Sequence, residues 1–364
     1  MVRMTPAFLA RTSLCGAVLA VSVAAATPHA VAQNTTAQNA TGSQTVGENS
    51  SAVVLMYHRF GEEDLPSTSI RIDQFEAHLA ELKSGGYQVL PLSRIVAALR
   101  DRKPLPDRAV AITIDDAYRS VYLEAWPRLR AADLPFTLFV STDVVQRSGG
   151  DYMSWDEIRE MARGGVEIGN QTASHDHLPT LPLDRVRDDI RAANARIEAE
   201  IGQKPTLLAY PYGEYSAAIR DLVAGEGFLA AFGQHSGVAH SQMDRHQLPR
   251  FPLNENYGGL DRFRLVANAL PLPVTELTPN DPVLTGRNPP AIGFTVMPGI
   301  GDTAQLDCFA SRQGRTIIER LPAGRIEIRL SEPLPAGRAR LNCTMPGPES
   351  RWRWFGLQFY VPEN

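Results

Sequence analysis

Two adjacent carboxylates, Asp115 and Asp116, end an apolar run that reads A-V-A-I-T-I over residues 109–114. Small and β-branched residues without polar interruption are the pattern of a strand buried on both faces in a parallel sheet, which delivers the pair to its C-terminal rim. Neighbouring acids repel when both are ionised, and a cation or a shared proton removes that cost, so the pair is a candidate metal site. The plain alternative is a helix start, with Asp116 as N-cap and Asp115 solvated beside it. A second apolar run, S-A-V-V-L-M-Y over 51–57, stops at His58. A third chemistry-bearing stretch, G-N-Q-T-A-S-H-D-H, occupies 169–177. Gln171 and His175 are four apart, so one helical turn would aim both the same way as metal ligands; an extended backbone would instead pair His175 with His177. As a histidine in a polar loop, His177 reads as solvated.

The elements needed to position these residues alternate between strand and helix. Helical spacing is found around Phe75, Leu79 and Leu82 and over 95–99, then from Val121 to Leu129 and over 155–162, 186–201, 217–224 and 260–270. Short strands are expected at 87–90, 136–140, 166–168, 207–210, 228–232 and 248–251. This order predicts an α/β fold, a parallel barrel with its helices outside, in which chemistry gathers at the C-terminal ends of strands. His58, Asp115, Asp116 and the stretch after Ile168 all fall at that face, which weakens the helix-cap alternative.

Composition bounds the partners. The chain has 364 residues, 43% hydrophobic, with 36 Lys and Arg against 40 Asp and Glu. A net charge of −4 gives no global field for nucleic acid or an anionic membrane. Residues 1–32 read as a signal peptide: arginines, a short apolar run, then the small residues Ala30-Val31-Ala32. The protein is therefore expected to be exported to the periplasm or cell surface, with no transmembrane segment after cleavage. Residues 33–50 are a polar leader without the apolar side chains to repay folding entropy.

Three motifs in register now carry a resemblance. T-I-D-D-A-Y, I-G-N-Q-T-A-S-H-D-H-L and A-Y-P-Y-G-E-Y resemble the first three motifs of the polysaccharide deacetylases, the NodB-homology fold of carbohydrate esterase family 4. The opening L-M-Y-H-R-F is similar to that of exported deacetylases acting on the poly-N-acetylglucosamine of biofilms. The resemblance covers 51–270 and implies a deformed (β/α) barrel that removes acetyl groups from a polysaccharide with a divalent metal, zinc or alternatively cobalt or nickel. It makes Asp115 the catalytic base, Asp116 and His175 metal ligands, Tyr212 the donor of an oxyanion-binding N–H, His58 the general acid and Arg250 the residue that orients the base. One departure stands out: Gln171 occupies a position where the family carries a histidine ligand. Either the Gln171 amide oxygen completes a weak site, or another group such as His177 replaces it, or the domain holds no metal and binds glycan without catalysis. Keeping Asp115, Asp116, His175 and His58 argues for activity, and the four-residue spacing argues for ligation through Gln171.

Beyond Leu270 the composition changes. Six prolines within 271–290 read as a stiff connector, and 291–364 as a small all-β sandwich of short alternating strands. Cys308 and Cys343 are the cysteines left after signal cleavage and are expected to pair, a closure of roughly 3 to 4 kcal/mol on the chain-entropy account. The R-W-R-W-F run at 351–355 is either a sugar-stacking platform or core, with Trp352 and Trp354 facing one way into the sandwich; the core reading is preferred because exposed paired tryptophans are costly.

Overall fold

The computed structural model describes residues 50–146 and 150–363, so the signal peptide expected over 1–32 and all of the leader except Ser50 lie outside the described residues. Six parallel strands, Ser51–Tyr57, Ala109–Ile114, Thr137–Val140, Glu167–Asn170, Leu207–Ala209 and Ala230–Phe232, pair in chain order. A short return draws the ring shut: Leu248 bridges Phe232, and Phe251 and Pro252 run in parallel register with Leu55 and Met56. Arg250 sits in this closing segment. The deformed (β/α) barrel is thus the observed architecture.

Both faces of the Ala109–Ile114 strand are buried, for two different reasons. Ala109 and Ala111 face inward with Ala209, Ala230, Phe139 and Phe232, and the apolar side of the Leu92–Arg100 helix packs against the same cluster. Val110, Ile112 and Ile114 face outward and meet the helices. The helices carry their own start and stop chemistry. Trp155–Arg163 begins at Ser154 with a capping box to Glu157 and buries Trp155, Ile158 and Met161. Leu183–Ile201 ends at Gly202, whose φ of 79° suits a glycine, and buries Val186, Ile190 and Ile197.

The C-terminal part is two β-sheets around a separate apolar core. One correction concerns 271–290, expected as a connector: Leu270–Pro271 pairs with Arg353 and Trp354, Val274–Thr278 pairs with Ile292–Val296, and Val283 bridges Tyr360. Proline is compatible with an edge strand, which needs fewer N–H donors, so proline density alone did not distinguish linker from edge. Cys308 and Cys343 are register partners on neighbouring antiparallel strands and form a disulfide.

The preferred reading of the tryptophans also needs correcting. Along Trp352–Val361 the side chains that fill the sandwich core are Phe355 and Phe359, with Leu357 and Val361 packed against it. The alternate face meets the barrel: Trp354 stands edge-on to Phe251 at 5.2 Å, Gln358 Nε2 donates to the Tyr212 carbonyl at 2.9 Å, and the Tyr360 ring lies 6.4 Å from that of His177. Between them, Gly356 is obligatory, because a Cβ there would meet the Ser236 carbonyl at 2.1 Å. Trp352 is 39% exposed.

Three buried histidines set an acid limit. His78 is held down to about 4 by burial, only partly offset by its bond to the Gly258 carbonyl; its other nitrogen meets the Tyr57 hydroxyl at 3.0 Å. Burial, with the charges of Arg250 and Arg340, puts His235 at about 4, and burial alone does the same for His240. The unfolded chain takes up these protons near 6.5, so between about pH 6.5 and 4 the unfolded state binds more protons and stability falls as pH falls. Urea midpoints should drop steeply across that window and level off below it; a midpoint flat from pH 7 to 4 would contradict this assignment.

Candidate active site

Strand pairing stops at Ile114, and the Asp115 N–H still donates to the Tyr57 carbonyl at 2.9 Å. Asp115 keeps the inward orientation of Ala111 and Thr113. Arg250 Nη1 and Nη2 donate to its two oxygens at 2.7 and 2.8 Å, and both side chains have no solvent exposure. Further donations from Arg250 to the Gly233 carbonyl and to Thr113 Oγ1, and the Phe139 ring 5.4 Å from the guanidinium, fix the fork in place. The arginine supplies the counter-charge that a buried carboxylate requires.

Asp116 and Ala117 then take left-handed backbone, φ 72° and 53°, which swings Asp116 out of strand alternation to the mouth of the barrel. Thr172, His175 and Tyr212 also have positive φ, at 68°, 61° and 58°. Five non-glycine residues in this sparsely populated region at one place mark a site whose geometry is over-determined by its surroundings.

His175 Nε2 stands 3.1 Å from Asp116 Oδ1, a buried oxygen with no other hydrogen-bond partner among the described residues. Burial alone would raise the Asp116 carboxyl, but the approach of His175 and the charges of His58 and His175 hold it well below the usual carboxylate range. Burial would likewise lower His175, and Asp116 outweighs it and raises the imidazole. His58 Nε2 is 3.9 Å from Asp115 Oδ2.

Gln171 is brought to this cluster, but not as a helical turn would bring it. Residues 171–177 form a bent loop, pinned by the Thr172 N–H on Asn170 Oδ1 and the His175 N–H on Thr172 Oγ1. The Gln171 amide oxygen accepts the Asp116 N–H at 2.9 Å, which turns its nitrogen toward His175 Nε2 at 3.4 Å. Flipping the amide would set two donors against each other. His177 is engaged elsewhere: its ring stacks on Tyr212 at 4.1 Å, and its Nδ1 is 2.6 Å from Glu214 Oε2. The solvated reading of His177 therefore gives way to a half-exposed ring with two partners.

His58, Asp116, His175 and Tyr212 line one cleft of about 490 Å³, while Asp115, Arg250 and Gln171 lie fully buried behind it. Two of its walls were not anticipated. Tyr118 and Tyr152 stack at 5.0 Å on one side, and Arg338 and Arg340 reach in from the C-terminal sheet. Glu214, two residues past Tyr212 in the same motif, could have been singled out as a buried acid; Gln358 and the arginines carry no sequence signal, because only tertiary docking brings them here.

The donor set accommodates a cation in part. Asp116 Oδ1 and His175 Nε2 are two conventional ligands in register, and the unsatisfied oxygen is the kind of group a cation completes. Among the described residues no third His, Cys, Asp or Glu joins them.

Residues 102–231 match the polysaccharide deacetylase family. A Bacillus subtilis protein bearing a polysaccharide deacetylase name is 26% identical over 57% of this chain and 72% of its own length. The poly-beta-1,6-N-acetyl-D-glucosamine N-deacetylase of Escherichia coli K12 is 27% identical over 56% of this chain, but the match spans only 37% of that protein. Among solved structures, IcaB from Ammonifex degensii is 27% identical with a TM-score of 0.54, covering 60% of this chain and 97% of the other.

Replacing Arg250 by Met should leave Asp115 buried without its counter-charge and cost about 3 to 5 kcal/mol in urea unfolding. Should that variant fail to fold, the Asp115→Asn/Arg250→Met pair should fold and recover part of the loss. A single variant within about 1 kcal/mol of the parent would show that the pair is not what holds this end of the barrel.

Proposed function

This chain belongs to the polysaccharide deacetylase family, and on that premise we propose that it is an exported hydrolase that releases acetyl groups from a polysaccharide, N-acetyl groups of amino sugars foremost. The observation that carries the reading is the layered arrangement at one cleft: Asp115 clamped by Arg250 behind, Asp116 against His175 in front, and His58 beside them.

In this reading the attacking water loses its proton to Asp115, which Arg250 holds and aims. The carbonyl oxygen becomes an oxyanion as the water adds, and the Tyr212 N–H donates to it from a loop held in left-handed backbone by Gly213 and Gln358. Expulsion of the amine requires a proton, which His58 supplies. The proton taken and the proton given are handled by atoms 3.9 Å apart. A divalent cation held by Asp116 and His175, zinc or else cobalt or nickel, would polarise the acetyl carbonyl and acidify the water. Gln171 acts here as a positioning residue, its oxygen fixing the Asp116 backbone and its nitrogen lying against His175.

The experiment is acetate release from a panel of acetylated glycans, with metal content measured on the same preparations. Asp115→Asn should abolish turnover and keep bound metal, whereas Asp116→Asn should lose both. Equal metal retention in the two would overturn this division of roles. Substituting Gln171→His adds an imidazole to a site with two ligands and should tighten metal binding at least tenfold by titration calorimetry. A parent protein that binds no metal and releases no acetate from any glycan would leave a glycan-binding protein without catalysis.

A further inference from the structure

A second cavity of about 670 Å³ lies between the Leu260–Ala267 helix and the sheet that contains Trp352–Val361. It is continuous with the catalytic cleft, because Pro252, Tyr257 and Arg340 line both. Of nine large hydrophobic side chains exposed among the described residues, four, namely Tyr257, Leu265, Phe309 and Trp352, gather around this one cavity. Such clustering on a soluble surface marks an interaction site, while scattered exposure does not.

Among its polar lining are two guanidiniums, of Arg262 and Arg340, that have no acid partner among the described residues. Arg262 lies 5.1 Å over the Tyr257 ring, and its Nε is buried with no hydrogen-bond partner among the described residues. Among the described residues the Arg340 guanidinium meets a neutral amide, Gln358 Oε1, at 3.2 Å, and no acid. An aromatic wall beside unpaired donors is the chemistry that receives a sugar ring: the apolar C–H face stacks, and the hydroxyl and acyl oxygens accept from the arginines. Lipid tails would leave those donors unmet.

We propose that this cavity is a distal subsite for the polysaccharide chain, which runs from the acetyl-cleaving cleft past Tyr257 and Arg340 and stacks a ring between Phe309 and Trp352. The proposal rests on the reading of the cleft as a glycan site. A polymer seated in the cleft has to leave along its surface, and this groove is the aromatic continuation of it. The arginines favour acetylated or acidic chains and repel a run of free amines, so the subsite holds unprocessed polymer in preference to product.

The test separates binding from catalysis. Calorimetry on the Asp115→Asn protein with short and long N-acetylglucosamine oligomers should show affinity rising with length. Adding Trp352→Ala or Phe309→Ala should cost about tenfold for long oligomers and leave short ones unchanged. Arg262→Gln should lose the preference for acetylated over deacetylated chains. Long oligomers bound as tightly after Trp352→Ala would overturn the proposal. So would a concentration-dependent dimer that Trp352→Ala dissolves, since the patch would then be covered by a second copy. In the parent protein, Trp352→Ala should raise KM for polymer without changing kcat. If the parent releases no acetate at all, the catalytic reading fails while the binding result on Asp115→Asn still decides this one.

Discussion

A fully buried ion pair between Asp115 and Arg250 joins the middle of the barrel to its seam. Two charges taken out of water are costly unless their geometry is near ideal, and here every guanidinium edge that faces the interior has an acceptor. The arginine lies between Leu248, which bridges Phe232, and Phe251, which registers with Leu55, so closing the barrel and aiming the carboxylate are one event. The small residues on the inner face become intelligible from this pair. Ala109, Ala111, Ala209 and Ala230 leave the volume that the arginine and Phe139 occupy.

The second layer depends on backbone conformation more than on side-chain type. Left-handed Asp116 and His175 meet because Gln171 and Thr172 hold the two loops in place. Placing an amide where an imidazole would add a third ligand changes the character of the cluster. The Gln171 nitrogen lies 3.4 Å from His175 Nε2, so an amide edge already borders the ligand atoms. Whatever cation chemistry occurs there begins from a site partly occupied by protein.

Much of this was legible from sequence, and the limits have physical causes. The apolar run ending on paired acids read correctly as an inner strand, because burial on both faces leaves a continuous hydrophobic pattern. The meeting of Gln171 with His175 was expected through a helical turn and is achieved by a bent loop, since spacing alone does not distinguish two ways of bringing residues four apart together. The 271–290 stretch failed as a linker because proline marks an edge strand as readily as a connector. For the tryptophans the alternation was right and the face was wrong. A period of two says that Trp352 and Trp354 point one way, but not that the barrel waits on that side.

That last strand has a consequence in time as well as in space. Gln358 holds the Tyr212 carbonyl, Gly356 nests against Ser236, and Arg338 and Arg340 come from the strand paired with it. Residues separated by most of the chain are therefore needed together before the cleft exists in its final form. A nascent chain that has emerged only through the barrel has its acids and histidines but lacks one wall. The wall that Trp352–Val361 and its partner strand contribute is therefore the last part of the cleft to be supplied in chain order.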